Sequence, residues 1–101
     1  MSNSNVAILA MLEAKPEKAQ ELEDFLTGAL ALAEKEPDTY TWFALKLGPL
    51  SFGIFDTFKD DEGRQLHLNG PIAAALMANA EELLSTAPDI KQIEVLAAKI
   101  E

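Results

Sequence analysis

His67 is the single histidine of this chain, and it closes the polar stretch Asp60-Asp-Glu-Gly-Arg-Gln-Leu-His67. An imidazole with an unperturbed pKa of about 6.5 is mostly neutral at pH 7 and is suited to take a proton from a bound acid. Leu68-Asn69-Gly70-Pro71 follows as a turn signal before an Ala-rich helical pattern. His67 therefore falls at an element boundary beside a strand end, a common place for binding groups; its other reading is a helix-terminal histidine bonded to nearby backbone. Asp56 interrupts an apolar strand and shares a face with Phe52, Ile54 and Phe58. If that face is covered, the carboxylate needs a donor such as Arg64, Lys46 or a backbone N–H; otherwise it is an edge residue or a structural ion pair. Arg64, the sole arginine, is either a pocket cation for an anionic ligand or part of a solvated helix surface. Asn69 either orients a ligand oxygen or caps the turn before Gly70-Pro71. Tyr40 and Trp42 stand two apart on a strand and so face one side, where they stack on a flat ring or fill the core or a dimer seam. Phe52, Phe55 and Phe58 pose the same choice.

Composition closes off other chemistries. With no cysteine there is no thiolate nucleophile, disulfide or thiolate-bound metal, and one histidine cannot furnish the usual zinc set. Seventeen acidic residues against eight basic ones give a formal charge of −9. That balance repels nucleic acid and anionic membrane surfaces. No Gly-rich phosphate loop and no Gly-x-Ser-x-Gly elbow is present. Asp60-Asp61-Glu62 reads as a solvated helix start, because adjacent helical side chains diverge. Met1 to Asn5 lacks the basic region of a leader, and Val6 to Leu12 is too short to span a bilayer. The expectation is a cytoplasmic protein without metal or other cofactor.

These groups need a scaffold, and 101 residues, half of them apolar, suit one domain spanning residues 1–101. Val6 to Leu12 suits a strand buried on both faces. From Glu17 to Lys35, Ala19, Leu22, Leu26, Ala29 and Ala33 recur at helical spacing, with Pro16 near the first turn. Thr39–Leu47 and Ser51–Phe58 read as strands joined by Gly48-Pro49-Leu50 into an antiparallel hairpin. Asp60–Leu68 reads as a short helix, Pro71 begins a longer one that Pro88 stops, and Ile90–Ala98 reads as a closing strand. This order predicts an α+β, ferredoxin-like split β-α-β fold, with a four-stranded antiparallel sheet and both long helices on one face. Yet the hairpin strands are apolar on both faces. A small chain with one uncovered apolar sheet face is expected to form a homodimer, two sheets packing face to face.

Several local strings resemble the antibiotic biosynthesis monooxygenase-like domains of the dimeric α/β-barrel superfamily. They are the opening strand with Ala14-Lys15-Pro16, Glu36-Pro37 before Thr41-Trp42, Phe52-Gly-Ile-Phe-Asp-Thr-Phe58 with Lys59-Asp60-Asp61, His67, and the closing Ile93-Glu-Val-Leu96. The resemblance covers essentially the whole chain. It implies a homodimeric α/β barrel with a pocket in each subunit between sheet and helices. It also implies cofactor-independent oxygenation of an aromatic hydroquinone or related phenol by dioxygen, with His67 as base and Trp42, Tyr40, Phe55, Asp56, Asn69 and Arg64 around the ligand. Two positions depart from the pattern. Phe58 stands where many relatives carry a tryptophan, and Ile54 where some active members carry an asparagine. Both changes remove hydrogen-bonding groups and speak against haem degradation. The alternative function is a non-catalytic homodimer that binds a small apolar ligand or serves in assembly.

Overall fold

The computed structural model describes residues 5–100; residues 1–4, most of the segment that lacks the basic region of a leader, and Glu101 lie outside them. The chain runs β1 (Val6–Glu13), a 3-10 turn (Pro16–Lys18), α1 (Ala19–Ala33), β2 (Thr39–Lys46), β3 (Ser51–Phe58), α2 (Asp61–Leu68), α3 (Pro71–Leu83) and β4 (Asp89–Glu94). The four strands form one antiparallel sheet in the order β2-β3-β1-β4, which is the expected ferredoxin-like arrangement. Among the described residues, no helix is long and apolar enough to cross a membrane.

Helical spacing buries the stripe expected of α1. Leu22, Leu26, Ala29 and Ala33 are its buried residues, and with Ile72, Leu76 and Leu83 of α3 they cover one sheet face. There Leu12 stands opposite Phe52, Ala10 opposite Ile54 and Ile8 opposite Asp56, the period-two alternation that puts every second residue on the core side. Among these pairs a polar group enters only at the last one, so the apolar core grades into a polar pocket toward the Val6 end of β1.

Several boundaries differ from expectation, each for a physical reason. Pro16 opens a separate 3-10 turn, and the α-helix proper starts at Ala19. Helix α3 stops at Leu83, short of Pro88, because Leu84 is extended, buried and bridged to Ala14. Strand β4 ends at Glu94, since its partner β1 begins at Val6 and only the bond from Val95 N–H to the Asn5 carbonyl follows. Leu96 is consequently 91% exposed. A bulge between Thr39 and Thr41 inserts Tyr40 as an unpaired extra residue, which breaks the alternation assumed for Tyr40 and Trp42.

The opposite sheet face carries Phe43, Leu45, Phe55, Leu9 and Met11 by register. Phe43 stacks on Phe55 with ring centroids 6.3 Å apart, yet Phe43 remains 52% exposed. Within one chain this apolar face has no cover.

Candidate functional site

Asp56 reaches the core side of β3 because it keeps the alternation of Phe52, Ile54 and Phe58, and it is 0% exposed. His67 arrives from the last turn of α2. That helix starts where the Asp60 side chain accepts a hydrogen bond from Gly63 N–H at 2.8 Å, a standard N-terminal cap. Seven residues on, His67 faces inward at 8% exposure and packs its ring 5.1 Å from that of Phe58. Glu36 comes from the connection between α1 and β2, where Thr39 Oγ1 donates to Glu36 Oε1 at 2.7 Å.

The three side chains form a row. Glu36 Oε1 lies 2.7 Å from His67 Nδ1, and on the other side of the ring Nε2 lies 3.1 Å from Asp56 Oδ2. An ionised carboxylate only accepts, so Nδ1 carries the proton toward Glu36. The Nε2 approach is close but poorly aligned, and neither oxygen of Asp56 has an aligned hydrogen-bond donor; the contact is an ion pair more than a hydrogen bond. Burial is the largest influence on His67 and pulls its pKa down, but Asp56 and Glu36 together outweigh it and hold the imidazole above its ordinary value. Burial pushes the Asp56 carboxyl above the usual carboxylate range, against the opposing pull of His67. A row of this kind holds a proton in a protected place. Among the described residues no cluster of His, Asp and Glu side chains is arranged to hold a metal ion.

A cavity of about 320 Å³ opens beside the row, between the end of α1, the Glu36–Thr39 segment, α2 and the start of α3. Leu32, Pro37, Leu66 and Pro71 supply apolar walls, Glu36 and His67 line the inner side, and exposed Lys35 lines it as well. Its volume and composition suit a small ring system.

The site residues expected from sequence separate into two groups. His67, Asp56 and Trp42 gather on the core side: Trp42 is the register partner of Asp56 and packs against both clusters of the core, its indole N–H buried without a partner. The others stand elsewhere. Arg64 is engaged by Asp61 at 2.8 Å and by the Ala7 and Ile93 carbonyls at 3.1 Å each, so it ties α2 to β1 and β4 and does not line the cavity. Asn69 donates to the Gln65 carbonyl at 2.8 Å, the turn-capping role. Phe55 is on the uncovered sheet face, and Tyr40, 54% exposed, lines a smaller neighbouring recess with Trp42. The charged partner of Asp56 is His67, neither Arg64 nor Lys46; Lys46 pairs with Glu23. Glu36 is the residue that sequence reasoning missed. Its one signal was an acidic residue immediately before a proline at a helix end, where an exposed side chain is the ordinary outcome.

Known structures share this architecture. A protein of unknown function from Nitrosomonas europaea is 56% identical and superposes with a TM-score of 0.93 over 97% of this chain and 95% of that one; the two belong to one family. A candidate antibiotic biosynthesis monooxygenase from Caulobacter crescentus superposes with a TM-score of 0.79 at 16% identity, covering 93% of this chain and 92% of that one. A second protein from Nitrosomonas europaea, described in the same terms, gives 0.81 at 11% identity over 91% and 99%. In fold, the chain resembles these two candidate antibiotic biosynthesis monooxygenases. At such low identities the likeness carries architecture and not activity. No family model matches the sequence, and no protein of curated function does.

Proposed function

We propose that the domain is a cofactor-independent monooxygenase acting on an aromatic hydroquinone or phenol with dioxygen. The observation that carries this reading is the Glu36–His67–Asp56 row, of which Glu36 and His67 stand at the wall of a largely apolar cavity. Proton removal from the ligand leaves an electron-rich anion that reacts directly with oxygen. For a substrate of the anthrone type, one oxygen atom becomes the new carbonyl and the other leaves as water with the two hydrogens of the methylene. The protein then has to exclude solvent, fix the ring and hold the proton. The uncovered face bearing Phe43 and Phe55 supports a homodimer with sheets packed face to face, and a cytoplasmic location completes the reading.

The test is oxygen consumption and product mass with naphthohydroquinones and anthrones, wild type against His67→Ala. Enzyme-dependent uptake is expected to fall about 100-fold or more in the variant, because His67 holds together the row that receives the ligand's proton. A second reading, a dimer that binds an apolar ligand without turning it over, is favoured by Phe58 and Ile54, which bring no hydrogen-bonding group to the core side of β3. Ligand binding without uptake across the panel would select it.

A further inference from the structure

Both ring nitrogens of His67 face carboxylates, Nδ1 toward Glu36 at 2.7 Å and Nε2 toward Asp56 at 3.1 Å. An imidazole so placed has no free lone pair for a ligand in the cavity. Asp56 is fully buried behind it and does not line the cavity. Glu36 does line it. Its Oε1 is occupied by His67 Nδ1 and Thr39 Oγ1, whereas among the described residues no donor is placed on Oε2. Oε2 lies beside Gly70, where an added methyl group would come 3.8 Å from it, and the next residue, Pro71, is a cavity wall.

We propose that Glu36 is the residue that meets the ligand: its Oε2 accepts the hydroxyl proton of an apolar ring seated among Leu32, Pro37, Leu66 and Pro71. His67 is then a positioning residue. Held by Asp56 from behind, it fixes the Glu36 carboxylate through Oε1 and leaves the second oxygen directed at the ligand. In the proton step the ligand O–H bond breaks, its electron pair stays on the ligand oxygen, and the proton passes to Oε2; the cluster and ligand together keep their charge. This assignment rests on the cavity being the ligand site, and it names the ligand class as a hydroxylated apolar ring. An ether analogue of the same shape offers no proton to Oε2, and a site built around a hydroxyl discriminates strongly against the analogue that lacks it.

The experiment compares the affinities of 2-naphthol and 2-methoxynaphthalene for the full chain by calorimetry at pH 7. Wild type is expected to prefer the naphthol by roughly 10- to 100-fold, the range of a hydrogen bond to a charged acceptor. Glu36→Leu should bring the preference close to one and Glu36→Gln should reduce it, while His67→Gln, with its folding checked by circular dichroism, should weaken it only in part. A wild-type preference near one, a preference that survives Glu36→Leu, or one lost wholly in His67→Gln would overturn the assignment. Oxygen uptake by the same proteins separates the two levels of inference. A Glu36-dependent preference without uptake leaves Glu36 as the ligand contact and removes the oxygenase reading; uptake with a preference indifferent to Glu36 removes this assignment alone.

Discussion

Because His67 is the only imidazole in the chain, its proton chemistry can be followed by NMR without a competing signal. Its titration midpoint should lie above the ordinary histidine value, and Asp56→Asn or Glu36→Gln should each lower it by removing one of the flanking carboxylates. The consequence for stability has a definite sign. His67 and Asp56 both hold a proton more tightly folded than unfolded, so the folded state binds more protons and stability falls as pH rises. For His67 the contribution is complete below its unfolded pKa of 6.5 and is lost as pH climbs through the higher folded value. For Asp56 it is complete below 3.8 and fades through the raised carboxyl range. Melting temperatures should therefore decline from pH 6.5 upward, with a flatter profile in His67→Gln; a wild-type curve that rose across that interval would contradict the row. Alternation along Phe52–Phe58 already put Asp56 on a covered face and demanded a partner for it. The rest of the row was not legible, because the Glu36–His67 contact spans 31 positions and joins a connection to a helix end, where no periodicity operates. Arg64 misled for the related reason that backbone carbonyls, invisible in side-chain patterns, claim its guanidinium.

At the scale of elements, α2 is seated against the segment that carries Glu36, and Gly63 sets how close it comes. A methyl group at that position would lie 2.9 Å from Asp38 Cβ and 3.4 Å from its carbonyl oxygen, closer than the packing tolerates. Two effects oppose each other in Gly63→Ala: helix propensity gains about 1 kcal/mol, while overpacking against backbone costs about 1–3 kcal/mol. The clash should win, with a net loss of up to about 2 kcal/mol, or up to roughly 16 °C in thermal melting for a domain of this size. An increase in melting temperature would mean that the Asp38 turn yields freely. Element order, the hairpin and the core stripe of α1 were all readable, since each follows from a local period of two or of three and four. The end of α3, the limit of β4 and the bulge at Tyr40 were not. Each is fixed by a neighbour distant in sequence: Ala14 draws Leu84 out of the helix, the start of β1 leaves Val95 onward without a partner strand, and the Phe58 pairing shifts to Thr39.

For the whole molecule the sheet face opposite the helices is the surface that calls for a cover. A stacked Phe43–Phe55 pair on an exposed apolar surface is costly to leave in water at about 25 cal/mol per Å², and face-to-face pairing of two copies removes it. Light scattering after gel filtration should report a dimer for wild type and a shift to monomer for Phe55→Asp, because a charge placed in that seam would be buried without a partner. A monomeric wild type at micromolar concentration would leave the face without the assigned role. The mixed apolar pattern of β2 and β3 made this surface legible before the fold was known, whereas the direction from which the cavity opens was not, since it depends on how α2 and α3 converge. Trp42 gives the molecule one more property. It is the single indole, wedged between both halves of the core and opposite Asp56 across the strand pair, so the chain has a built-in optical gauge: its emission colour reports whether the interior is dry, with no label attached.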